Sequence, residues 1–100
     1  MARRTSSRIR GERGAADRRE VILVSRSVLC TIGGISEHQL ALWEREDLIS
    51  PARIERTGGH LEALYDRESL RRVRVIRTLA EDLEVNIPGI GVILNLLDQI

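Results

Sequence analysis

Four hydrogen-bonding side chains stand in a row at Ser36-Glu37-His38-Gln39, just ahead of an apolar helical pattern. Side chains at the start of a helix can reach base edges in a DNA major groove. A glutamine there can pair bidentately with adenine, and a histidine can donate to a base or a phosphate. The same stretch also spells a capping box, with Ser36 at the N-cap and Gln39 three residues on, which needs no ligand at all. Spacing alone favours the cap. Arg26, Arg45, Arg53 and Arg56 lie around this stretch and could neutralise phosphates.

Other chemistries find little support. His38 and His60 have no evident carboxylate or nucleophile at useful sequence distance, and no Gly-rich phosphate loop or Gly-Lys-Ser/Thr element occurs. No catalytic residue, metal ligand or cofactor is assigned. Cys30 is the sole cysteine, which excludes an intrachain disulfide and a cysteine-rich zinc site. Beside Leu29 it reads as a buried, inert thiol. The longest uncharged stretch, Val85–Leu97, is too short to span a membrane, which takes about 18 apolar residues. The opening MARRTSSRIRGERG lacks the apolar run of a secretory signal. The expectation is a cytoplasmic, non-enzymatic protein.

The elements that must position these residues follow from caps and periodicity. Val21–Val24 is a short strand candidate. Ser25 offers an N-cap for a helix over 26–31 that buries Val28 and Leu29, and Gly33-Gly34 ends it. A second helix over 37–46 turns Leu40, Leu42 and Trp43 to the core. Pro51 blocks its return. A loop follows over 52–60, with its tip at Gly58-Gly59, and Leu61–Tyr65 forms the returning strand of a hairpin. Asp66 caps a third helix over 67–83, with a core stripe of Leu70, Val73, Ile76, Leu79 or Ala80, and Leu83. Asn86 and Pro88 open a fourth helix to the C-terminus. That helix is apolar over a broad face, and Ile90, Ile93, Leu94 and Leu97 are its candidate contacts with a partner or a second copy. The fold class is mainly α: a small winged helix-turn-helix domain with a short β hairpin and two further C-terminal helices.

Charge divides the chain. All 16 basic residues are Arg, set against 15 acids, for a net +1. Residues 1–20 hold seven Arg against Glu12, Asp17 and Glu20, giving +4, and read as a disordered basic arm. Residues 21–100 hold nine Arg against twelve acids, giving −3, and read as one folded domain.

Two stretches carry a family resemblance. Gly34-Ile-Ser-Glu-His-Gln-Leu-Ala-Leu-Trp-Glu-Arg-Glu-Asp-Leu-Ile-Ser-Pro-Ala-Arg53 resembles the start of MerR-type regulators, and Leu64-Tyr65-Asp66 with Ser69-Leu70-Arg71-Arg72 resembles their third helix. The resemblance implies double-stranded DNA as partner, helix 37–46 in the major groove and loop 52–60 as a wing on the backbone. It implies a homodimer reading two half-sites. Neither an effector domain nor a long dimerisation helix is expected beside this module. The sequence departs from the family pattern at Ala41, where Arg is usual, and at Leu42, where an aromatic is usual. Asp47 replaces a turn Gly, and Glu62-Ala63 replaces Tyr-Arg in the wing. The C-terminal run from Leu83 to Ile100 is similar to the heat-shock-repressor branch and to CbpM-type chaperone modulators. That second likeness implies binding to the J-domain of a DnaJ-like co-chaperone, through the third and fourth helices of the acidic body.

Overall fold

The computed structural model describes residues 21–100, so the basic arm over 1–20 lies outside the described residues. A short strand β1 (Val24–Ser25) leads straight into α1 (Arg26–Gly33) and then α2 (Glu37–Arg45). The hairpin β2 (Arg53–Thr57) and β3 (His60–Tyr65) follows, then α3 (Arg67–Arg77), a π-helical turn at Thr78–Asp82, and α4 (Ile87–Asp98). This is the small winged helix-turn-helix plan, mainly helical, with one three-stranded antiparallel sheet in the order β1-β3-β2.

Each helix starts where a side chain satisfies a backbone donor that the helix itself leaves open. Ser25 Oγ accepts from Val28 N at 3.3 Å. Ser36 Oγ accepts from Gln39 N at 3.0 Å, while Gln39 Oε1 accepts from Ser36 N at 3.1 Å, so the expected capping box is complete. Asp66 and the buried Ser69 make a second reciprocal box at the start of α3. Asn86 accepts from Gly89 N at 2.9 Å, and Pro88 sits in the first turn of α4, where its missing N–H costs nothing. Gly34 ends α1 at φ +73, a left-handed conformation that suits a residue without Cβ. Asp47 adopts the same region at φ +62 after α2, in the position where the family resemblance expects glycine. At the hairpin tip Gly58 and Gly59 both have positive φ, which gives a two-residue turn whose twist matches the flanking strands.

The core gathers Leu29, Leu40, Trp43, Tyr65, Val73, Ile76 and Ile90 with Cys30, Ile35, Leu48, Ile49 and Leu94. Both aromatic residues of the chain are therefore interior. Burial of each large aliphatic chain stabilises the fold by about 1.5–3 kcal/mol.

Five expectations need correction. The first strand is only Val24–Ser25, because just those two residues pair, opposite Tyr65 and Leu64. Val28 is exposed, since α1 turns Leu29 and Cys30 inward instead. Most of the expected loop over 52–60 is strand: Arg53–Thr57 pairs throughout with His60–Leu64. The α-helical part of the third helix ends at Arg77, and the π turn that follows shifts the register, leaving Leu83 exposed. Arg72, off the expected core stripe of α3, is nevertheless half-buried: its Nε donates to Leu48 O at 2.6 Å and its Nη1 bridges to Asp98 at 3.0 Å. It ties α3 to the segment after α2 and to α4.

Candidate nucleic-acid interface

On α2, Glu37, His38, Ala41 and Arg45 stand at i, i+1, i+4 and i+8, one face of the helix. Leu40 and Trp43 face the opposite way, into the core. His38 and Arg45 are exposed, with no side-chain hydrogen bond or ion pair among the described residues. Ser36 accepts the Gln39 N–H and keeps its hydroxyl proton for an outside acceptor.

Gln39 does not join this face. It lies round the helix from His38, its Oε1 is taken by the cap, and its Nε2 donates to Glu81 Oε2 at 3.3 Å. The expected adenine contact is therefore not poised: the amide is committed within the chain. Glu81 also accepts from Arg77 Nε at 3.3 Å, and Arg77 Nη1 reaches Gly33 O at 3.5 Å. The π turn thus braces the helix-turn-helix from behind.

Arg26 is likewise committed within the chain. Its Nη1 donates to Glu44 Oε1 at 2.7 Å and to Tyr65 Oη at 2.9 Å. Burial opposes its charge, but the Glu44 hydrogen bond and carboxylate outweigh it, and the guanidinium pKa is raised. Tyr65 Oη donates to Glu44 Oε2 at 2.5 Å. Burial, together with the bond to the Glu44 carboxylate, pushes the Tyr65 phenol up to about 12. Burial likewise raises the Cys30 thiol, aided by the Glu37 charge, which leaves little reactive thiolate.

On the hairpin, Arg56 is exposed with no ion pair among the described residues, while Arg53 donates to Glu55 Oε2 at 2.8 Å. Glu55 stands directly opposite Glu62 across the strands, a like-charge pair. No cluster of three or more His, Cys, Asp or Glu among the described residues is placed to hold a metal.

Residues 24–100 match the model of the MerR HTH family regulatory protein. The chain belongs to the MerR HTH family. No curated protein matches its sequence. In this MerR HTH protein the helix-turn-helix is α1 and α2 and the wing is the β2–β3 hairpin. No helix among the described residues is long and apolar enough to cross a membrane. Of the expected α4 contacts, Ile90 and Leu94 are spent on the protein's own core, at 0% and 3% exposure, and cannot face a partner. Ile93 is half-buried and Leu97 is exposed. The open apolar face is instead Val92, Leu96, Leu97 and Ile100.

Sequence reasoning missed three separate links: Glu44 with Tyr65, Arg72 with Leu48 and Asp98, and Arg77 and Glu81 with Gly33 and Gln39. Apart from the i, i+4 pair Arg77–Glu81, their partners lie far apart in the chain, where no local spacing rule operates; the family resemblance covered Glu44, Tyr65 and Arg72 but not their links.

Proposed function

We propose that this MerR HTH protein is a DNA-binding transcriptional regulator acting in the cytoplasm. The outer face of α2 enters the major groove, and the β2–β3 hairpin lies along the backbone. The observation that carries this reading is the pairing state of α2: its other polar side chains are largely committed within the chain, yet His38 and Arg45 stand outward. His38 and Ser36 would meet base edges. Arg45, Arg53 and Arg56 would meet phosphates. Two copies joined through the apolar face of α4 would read half-sites about 34 Å apart.

The test is binding to duplex DNA across a salt series, with and without residues 1–20. Log affinity should fall steeply with log salt. Arg45→Ala and Arg56→Ala should each flatten the slope by about one, whereas His38→Ala should mainly erode sequence preference. A flat, negligible affinity would sink the reading.

A second reading rests on the charge of the described body. Residues 21–100 carry −3, Arg26 is neutralised by Glu44, and Glu37 heads the exposed face of α2. Such a surface suits a basic J-domain, as in a chaperone modulator. Retention of a DnaJ-like J-domain by a protein that ignores DNA would favour it.

A further inference from the structure

The Arg26–Glu44–Tyr65 cluster sits where three elements meet. Arg26 opens α1, Glu44 lies in the last turn of α2, and Tyr65 ends β3. Both Glu44 oxygens are used, one by Arg26 and one by the Tyr65 hydroxyl, and Arg26 closes the triangle onto Tyr65 Oη. Strand β3 packs on α1 and α3 more than on α2. Among the described residues the Tyr65–Glu44 bond is the side-chain hydrogen bond between α2 and the hairpin, and Arg26 adds one from α1 to the hairpin. Hydrogen bonds to a carboxylate are shorter and stronger than neutral ones, and partial burial strengthens them further.

We propose that Tyr65, with Glu44 and Arg26, is a positioning residue that sets the angle between the recognition helix and the wing. The DNA consequence rests on the function proposed above. Helix and wing act as two linked contacts on one duplex, and linked contacts gain affinity only if their geometry lets both engage together. Tyr65 touches no DNA in this scheme; its hydroxyl holds Glu44, and Glu44 holds α2. The ring itself is wholly buried, so removing only the hydroxyl leaves the packing in place.

The experiment uses the full chain and Tyr65→Phe, with Glu44→Gln as a second variant. Trp43 fluorescence verifies that each is folded. Nitroxide labels at Ala41→Cys and Thr57→Cys, in a Cys30→Ala background, report the helix-to-wing distance without DNA. The parent should give one narrow distance distribution, and both variants a broader one. Unchanged distributions would overturn the proposal. Binding to duplex DNA then tests the consequence. Tyr65→Phe should weaken affinity about tenfold. Arg56→Ala should weaken binding in the parent and add nothing in the Tyr65→Phe background, because the wing is already disengaged. Additive losses would show a role in stability alone and overturn the proposal. If the parent binds no DNA while the distances broaden, the regulator reading falls and the positioning role stands.

Discussion

Tyr65 is the chain's only tyrosine, so the tyrosinate absorbance of the intact protein reports on it directly. The folded protein should titrate near pH 12, against about 10 when unfolded in urea. The fold holds the phenol proton more tightly than the unfolded chain does. Its stabilisation is therefore complete below pH 10 and is lost as pH climbs through 12. A folded-state midpoint near 10 would mean that the hydroxyl is solvated and not bound to Glu44. The same residue shows where sequence reading stops. Tyr65 is recognisable as the family's tyrosine, but its link to Glu44 and Arg26 joins positions 21 and 39 residues away. Arg26 and Gln39 were plausible DNA contacts by type alone. Which acceptor a guanidinium or an amide meets first is a property of the packed chain.

At the scale of elements, caps were the most legible feature. Ser25, Ser36, Asp66 and Asn86 each begin a helix as expected, because a cap is decided within four residues. Strand limits and the register shift after Arg77 were not legible, because each depends on a distant partner. The segment after the π turn closes with Glu84 at φ +55, a costly conformation for a residue with a side chain. Glu84→Gly should therefore raise the denaturant midpoint, gaining up to about 1 kcal/mol, with no change in the slope of the transition. The hairpin offers a second gain. Glu62 opposes Glu55, so Glu62→Arg should replace repulsion by attraction and stabilise the pair by about 0.2–1 kcal/mol. Under the regulator reading the same change adds a cation to the wing. DNA affinity at low salt should rise and its salt slope steepen by about one. A stabilised hairpin with unchanged DNA affinity would place position 62 away from the phosphates.

For the whole molecule, α4 has two faces with different duties. Ile90 and Leu94 complete the core, while Val92, Leu96, Leu97 and Ile100 meet solvent. Leu94→Ala should cost about 2–5 kcal/mol of stability, and Leu96→Ala far less. Leu96→Glu should leave the unfolding midpoint of a monomer nearly unchanged. If two copies pair through this face, sedimentation should show the parent as a dimer and this variant as a monomer. A parent that stays monomeric at high concentration would remove α4 from the assembly. Breadth of apolar pattern had marked this helix in the sequence, but not which residues face outward, because an apolar helix wheel looks alike on both sides until its neighbours are placed. The net +1 of the chain hides a comparable division: the acidic body leaves a DNA-binding mode dependent on the exposed arginines of α2 and the hairpin, Arg45, Arg53 and Arg56.

The π turn at Thr78–Asp82 has an implication for chain length. Its Leu83 N–H reaches back five residues to Thr78 O, where an α-helix would reach back four. An unbroken α-helix through these same residues would place Leu83 seven residues after Ile76, on the stripe of Val73 and Ile76. The bulge takes up one residue within the turn, which carries Leu83 off that stripe and into solvent while Glu81 meets Gln39 and Arg77. Because such a bulge takes up one residue without turning the chain that follows it, this turn is where the chain could lose a residue and keep the direction in which it leaves α3.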